Sequence, residues 1–549
     1  MNRADGYKLM KRLLFVLIAA FALSLKSFAQ TPPKMNARIL LIPLDDRPPC
    51  LQFTVRMGLI GDAEIVTPPR EMLGRFTEFG KSDEIINWLK AQDLKRFDAA
   101  IVALDMLTYG GLVASRVHGE TTAADALRRM EILRDLKKRH PKMPLYVQSV
   151  IMRLAPTGTG ANESYRAKLA EWAETSVEAD AKSKTRTAKL EREIPAEALT
   201  DYKMARQRNL TVNLKAVEMV REKTVDYLIL SQDDAKLRGI HVADRERLIG
   251  EIRRTNLTNA IAVQPGADEV SMLLLARAMN ERFKFSPKIK AVYSSVELSN
   301  RAMPYEDRAL RETVSFHIKA TGAREVENER NADLLFYVYA SRFEPGRAES
   351  FAAEIAEKIK QGKRIIVADV DPKGDVQGGD PKFTDELGNR NLYPELNGYA
   401  SWNTAGNTIG TALPQGVIFA LAQAKLLKLK DASNRIWTAQ NWFTFHRVLD
   451  DYYYHTEVRA KAKDYIAQNK WSAMRLTDEA TREVEKFSRK LMLASFNELS
   501  GIYFRGNKFG LQKNVACEKP SDLSFDLPWN RTFEAEISFQ LQCLSRIEK

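Results

Sequence analysis

The chain has 549 residues and a mass of 62.3 kDa, enough for two to four domains and for a large core without staples. Its composition is 44% hydrophobic and 28% charged, with a mean hydropathy of −0.35, which excludes a disordered or fibrous chain. The formal charge of +13 is dispersed along the sequence, which fits weak attraction to anionic surfaces and not specific nucleic-acid binding.

Lys11-Arg12 precedes an apolar run, Leu13 to Leu25, and Ser27-Phe28-Ala29 places small residues three and one positions before a cut. This pattern predicts a secretory signal peptide over residues 1–29, and the run is short for a membrane span of about 20 residues. The leader carries Arg3, Lys8, Lys11, Arg12 and Lys26 against Asp5, so its removal takes a net +4 and leaves +9. The mature protein is expected to be exported, periplasmic or secreted, with no stable membrane insertion.

Beyond the leader, short apolar runs alternate with amphipathic helices. Strands are predicted at Arg38–Leu44, Glu64–Thr67, Ala99–Leu104, Leu145–Ile151, Tyr227–Leu230 and Ala260–Val263. A similar rhythm restarts with Ile289–Tyr293, a short Arg324–Glu327, Leu334–Tyr339 and Arg364–Val370. Helices are predicted between them at 124–139, 244–255, 269–283, 305–319 and 349–361. Several strands are continuous Val/Ile/Leu runs, as expected for parallel strands covered on both faces. The fold class is therefore α/β, with mostly parallel sheets in two Rossmann-like lobes and a C-terminal helical region. One TIM-barrel-like (β/α)8 domain is the alternative, disfavoured because the gap after Arg324–Glu327 is too short for a crossover helix. The lobes are placed at 36–285, with a charged helical insertion at 155–222, and at 286–430; a helical region and irregular tail occupy 431–549. Of the three cysteines, Cys517 and Cys543 could pair in an oxidising compartment, leaving Cys50 as a small buried thiol.

Chemistry concentrates after the strands, where ligands bind in open sheets and barrels alike. The first strand runs into Asp45-Asp46-Arg47, the third into Asp105 and Tyr109, the fourth into Arg153. The next two end in Gln232-Asp233-Asp234 and in Gln264 with Asp268-Glu269; a later one runs into Asp369 and Asp371. Farther on, Trp402, Asn403 and Asn407 set amides beside an aromatic in a Gly-rich stretch. Two carboxylates held close titrate as a coupled pair and can supply an acid and a base, as glycoside hydrolysis needs. Asp233, Asp234, Asp268 and Glu269 are thus the catalytic candidates. Asp45, Asp46, Arg47, Asp105, Tyr109, Arg153, Gln232, Gln264, Trp402, Asn403 and Asn407 are the substrate-binding candidates, for a small-molecule or oligosaccharide substrate. No cofactor is expected on this reading. The alternatives are a phosphate or ester hydrolase holding Mg²⁺ or Ca²⁺ on Asp45, Asp46, Asp369 and Asp371, and a non-catalytic sugar-binding protein. His241, seven residues beyond Asp234, is a further candidate ligand or acid–base group. There is no GxGxxG after the first strand, no P-loop and no GxSxG elbow.

The segments LLIPLDDRPPC, ALDMLTYGGLVASR, SQDDA, QPGADE and GYASWNTAGNTIGTAL together resemble the bacterial family named domain of unknown function 4127, over roughly residues 37–500. The resemblance implies an exported α/β protein and implies that these five segments define the family. It carries no catalytic role with it, and the tail after about residue 505 falls outside its pattern.

Overall fold

A strand buried on both faces sends alternate residues into two different cores, and the first strand does this. Ile39 and Leu41 of β1 (Ala37–Ile42) enter one apolar cluster; Leu40 and Ile42 enter another. The computed structural model describes residues 34–119, 121–375, 377–506, 509 and 514–545; the chain divides into Met1–Asn36 and Ala37–Lys549, and every element below belongs to the second body. The expected leader, residues 1–29, lies outside the described residues.

β1 is joined by β2 (Ala63–Val66), β3 (Ala99–Ala103), β4 (Leu145–Ile151), β5 (Tyr227–Gln232) and β6 (Ile261–Pro265) in a wholly parallel sheet ordered β2-β1-β3-β4-β5-β6. The second sheet contains β7 (Lys288–Tyr293), β8 (Arg324–Glu325), β9 (Leu334–Tyr339), β10 (Ile365–Asp369) and β11 (Gly398–Ala400), ordered β11-β10-β9-β7-β8 and again parallel. Counted along the chain, both sheets read 2-1-3-4-5, with β6 added to the first. The winding reverses between β1 and β3 and between β7 and β9, the places where such sheets open a crevice beyond their carboxyl ends. Two open sheets bear out the two-lobed expectation and rule out a single closed barrel.

The lobes share one core, which runs from Leu41 and Phe53 through Val270 to Phe336, Ile366 and Trp402. The helix Ala405–Lys425 packs both on β10 and β11 and on the first lobe's helix Val270–Arg282. The charged insertion forms the helices Glu163–Thr175, Ala181–Glu193 and Ala196–Arg221 around Leu169, Trp172, Leu190 and Tyr202.

After the helix Lys430–Val448 the chain continues through a π-helical segment, Leu449–Val458, into the helices Arg459–Gln468 and Asp478–Tyr503. The tail expected to be irregular is instead built from two antiparallel pairs. β12 (Val515–Cys517) faces β15 (Cys543–Ser545), with Cys517 opposite Cys543 and bonded to it. β13 (Ser521–Asp526) faces β14 (Glu536–Gln540). β11 is absent from the predicted strands because a three-residue Gly-Tyr-Ala strand has no period to detect. The helix expected from 305 starts at Leu310, because residues before it are tied elsewhere: Glu306 accepts from Thr313 at 2.9 Å and Asp307 from Gln232 at 2.8 Å. Among the described residues no helix is long and apolar enough to cross a membrane.

Candidate functional site

Strand ends of the first sheet converge on a cavity of about 470 Å³. Arg47 enters it after β1, Arg153 after β4, Gln232, Asp233 and Asp234 after β5, and Asp268 after β6. The second lobe adds Tyr305, Asn403 and Asn407, and the C-terminal region adds Arg459, Trp529 and Arg531. The cavity therefore lies where the first sheet's carboxyl ends meet the start of the helix Ala405–Lys425.

Arg47 organises one wall. Its guanidinium donates to both oxygens of Asp45 (2.7–3.1 Å), to Asp268 at 2.6 and 3.2 Å and to Glu534 at 3.2 Å, and it stacks over Trp529 at 4.8 Å. Asp45 and Asp46 thus stand behind the cavity. Asp45 aims Arg47; Asp46 accepts from the Trp529 indole at 2.6 Å and from Arg70 at 3.4 Å. Burial is the main reason the Asp46 carboxyl is raised, partly countered by Trp529. Burial also pushes Asp268 up to about 7, against the lowering charge of Arg47 and with Asp45 and Asp233 adding to the rise.

Asp233 and Asp234 differ in their surroundings. Asp233 accepts from Arg116, a residue at the end of the ALDMLTYGGLVASR segment that was not among the expected site residues. Burial opposes the ionised form of Asp233, yet the charges of Arg116 and Arg153 prevail and hold it below the usual carboxylate range. Asp234 accepts from Arg153, but burial outweighs that charge and, with Asp233 adjacent, raises it. Asp234 also takes a left-handed backbone, φ 43°, a conformation uncommon for a residue with a side chain and frequent at functional sites. Its side chain is 38% exposed, against 12% for Asp233 and 10% for Asp268, so it meets the cavity most openly.

The loops bearing the two arginines are fixed from the long helix Ala196–Arg221. Arg208 donates to the carbonyls of Ser115, Val117, His118 and Thr121, and Arg206 to those of Met152 and Arg153. Arg206 and Arg208 are 4% and 2% exposed, and buried guanidiniums of this kind are kept only where carbonyls or acids receive them.

Other expected residues serve the scaffold. Asp105 is 1% exposed; its Oδ2 accepts the Val150 amide at 3.0 Å, pinning β4, and burial lifts it to about 7. Tyr109 is buried beneath the Arg208 guanidinium, 4.2 Å from its ring. Gln264 is fully buried outside the cavity lining. Glu269 is equally enclosed, 3.4 Å from His317 Nε2, and does not reach the cavity. Trp402 turns into the core, donating to Thr411 at 3.1 Å and meeting Phe53 edge-on at 6.0 Å. His241 is drawn into the helix Ile240–Arg254, where the Lys236 amide donates to Nε2 at 3.0 Å; burial lowers it to about 4, so it stays neutral.

Asp369 and Asp371 belong to a different network beyond β10. Asp369 faces Arg342 at 3.3 Å and accepts the Asp380 amide at 2.7 Å; Asp371 lies 3.9 Å from Arg342. Asp45 and Asp46 are committed to Arg47, Arg70 and Trp529, so the four carboxylates offered as a cation site occupy two networks. Among the described residues no group of three or more His, Cys, Asp or Glu side chains is arranged to hold a metal ion.

The sequence matches the family described as Protein of unknown function (DUF4127) over residues 39–538, and the chain belongs to that family. The matched span includes the Trp529–Phe533 segment that lines the cavity, well past the limit drawn from the five segments. No curated protein matches the chain.

Proposed function

We propose that the protein is an exported hydrolase that cleaves a glycosidic bond in this cavity. The observation that carries the reading is the unequal setting of the carboxylates in one cluster: Asp233, 12% exposed, lies against both Arg116 and Arg153, which favour its ionised form, whereas Asp234 is 38% exposed and, like Asp268, is shifted toward its protonated form. Neighbouring acids whose surroundings pull them apart are the usual source of an acid and a base from one residue type. Asp234, the most exposed, is the proton donor to the departing glycosidic oxygen. Asp233, ionised beside Arg116 and Arg153, stabilises positive charge at the anomeric carbon or takes the proton of the attacking water. Gln232, Asn403 and Asn407 offer amides to hydroxyls; the Asn407 Oδ1 has no partner among the described residues. Half-exposed Tyr305 offers a face to the apolar side of a sugar ring. Export rests on the pattern of residues 1–29, and the Cys517–Cys543 bond supports an oxidising compartment.

The test is hydrolysis of paired substrates by wild type and Asp234→Asn. Loss of a general acid lowers turnover of unactivated glycosides by about 10²–10⁴-fold. Aryl glycosides with a strongly acidic leaving phenol, which departs without a proton, should be far less affected. Equal losses on both substrates, or none on either, would refute the assignment of Asp234.

A further inference from the structure

The charges lining the cavity do not balance. Three carboxylates, Asp233, Asp234 and Asp268, face seven cations. Four of those cations are spoken for: Arg47 by Asp45, Asp268 and Glu534, Arg116 by Asp233, Arg153 by Asp234, and Arg531 by Glu534.

Arg166, Arg459 and Lys463 are not. Among the described residues none of them has a carboxylate at ion-pair distance. Arg459 is 8% exposed; its Nη1 donates to Gln377 at 2.7 Å, its plane lies over Phe533 at 4.9 Å, and its Nε has no partner among the described residues. Glu534 attracts it only from beyond contact and is already held by Arg47 and Arg531. Lys463 comes four residues later on the same face of the helix Arg459–Gln468, a spacing at which like charges repel. Arg166, on the helix Glu163–Thr175, lines the cavity, donates its Nε to the Pro156 carbonyl at 2.8 Å and feels Asp234 only from beyond contact. A buried guanidinium without a counter-charge is unfavourable unless a ligand supplies one. Arginine's planar fork suits an oxyanion, to which it can donate two parallel bonds.

We infer that the ligand is an acidic sugar, whose carboxylate is received by Arg459 and Lys463 with Arg166 adding a third cation. This rests on the carbohydrate reading above and names the substrate class for the same cavity. The neutral part of the sugar then lies toward Asn403 and Asn407, and the bond to be cleaved toward Asp233 and Asp234.

The experiment is calorimetric titration of the Asp234→Asn protein, which does not consume its ligand. The probes are disaccharides of glucuronic, galacturonic and mannuronic acid, their neutral counterparts, and sodium sulfate and phosphate alone. At least one uronate should bind 30-fold or more tightly than its neutral counterpart, with affinity falling as salt rises. Arg459→Gln and Lys463→Gln should each weaken that uronate at least tenfold and leave the neutral sugar unchanged. Lys463 is exposed, so its variant keeps the test open should Arg459→Gln fail to fold. Equal binding of neutral and acidic sugars, or uronate binding untouched in both variants, would overturn the inference while the carbohydrate reading stood. Binding of sulfate or phosphate that is lost in the variants, with no sugar bound, would uphold the anion subsite and defeat the carbohydrate reading. No binding by any probe would overturn the inference.

Discussion

Replacing Arg47 by Met keeps most of the apolar stem and removes one buried charge. Asp45 and Asp268 then lose every bond they receive from a guanidinium, whereas Glu534 keeps Arg531. Breaking a buried ion pair from one side destabilises by about 3–5 kcal/mol. Asp268, already at about 7, takes a proton at little cost at pH 7, so the loss falls chiefly on Asp45, and the cost of protonating that carboxyl sets a ceiling. Protonating a carboxyl of ordinary affinity, about 3.9, at pH 7 requires about 4 kcal/mol, and at pH 5 only about 1.5 kcal/mol. The expected loss is thus about 3–5 kcal/mol at pH 7, shrinking by at least 1 kcal/mol at pH 5. The sign comes from linkage: a carboxyl raised in the folded state binds its proton there and not in the unfolded chain, so stability falls as pH climbs from about 4 toward the folded value. Wild type shows a milder form of the same slope, because Asp268 is already at about 7. Urea midpoints at pH 5 and pH 7, converted with a common slope, measure both quantities. A loss below 1 kcal/mol at pH 7, or an identical loss at both pH values, would refute the account of Arg47 as the shared counter-ion.

The tail and the lobe junction give two further expectations. Cys517 and Cys543 are 26 residues apart, a loop whose closure contributes about 3 kcal/mol, so Cys517→Ser should lower the unfolding free energy from urea titration by that order and weaken ligand binding through Trp529 and Arg531. Thiol titration checks the pairing: native protein shows no reactive thiol, denatured protein one (Cys50), and reduced denatured protein three. A Cβ on Gly398 would crowd the Ala412 carbonyl and sit 2.9 Å from the Gly416 amide, both backbone atoms that cannot rotate away. Gly398→Ala should therefore destabilise by about 3 kcal/mol or more; a melting temperature within a degree of wild type would disprove the tight approach of β11 to the helix Ala405–Lys425.

Residues that arrive at the site by topology are legible in the sequence, and those that arrive by long-range packing are not. Parallel winding brings strand ends together whatever the loops contain, so Arg47, Arg153, Asp233, Asp234 and Asp268 are identified by their position just past a strand's carboxyl end. The same rule cannot tell a side chain that faces the cavity from one that faces the sheet. Asp105 lies as close to its strand as Asp234 does, and Glu269 only two residues farther, but their rotations are set by Val150 and His317. Arg166, Arg459, Lys463 and Arg531 escape it because nothing local marks a helix in the insertion, the C-terminal helix Arg459–Gln468 or a tail beyond residue 505 as returning to the cavity. Trp402 and Trp529 exchange roles for the same cause. The indole in the polar, glycine-rich stretch goes to the core, and the one in the supposed irregular tail comes to the cavity.

Arg47 and Glu534 meet across 487 residues of chain. A growing polypeptide releases the Asp-Asp-Arg segment long before the Trp529–Glu534 segment. Until the later segment arrives Asp46 lacks its indole donor, and the pocket stands open on one side. A chain stopped before Trp529 would carry the acids and the strands of both parallel sheets and lack that wall. Arrival of the Trp529 segment, and not winding of either sheet, is what closes the cavity.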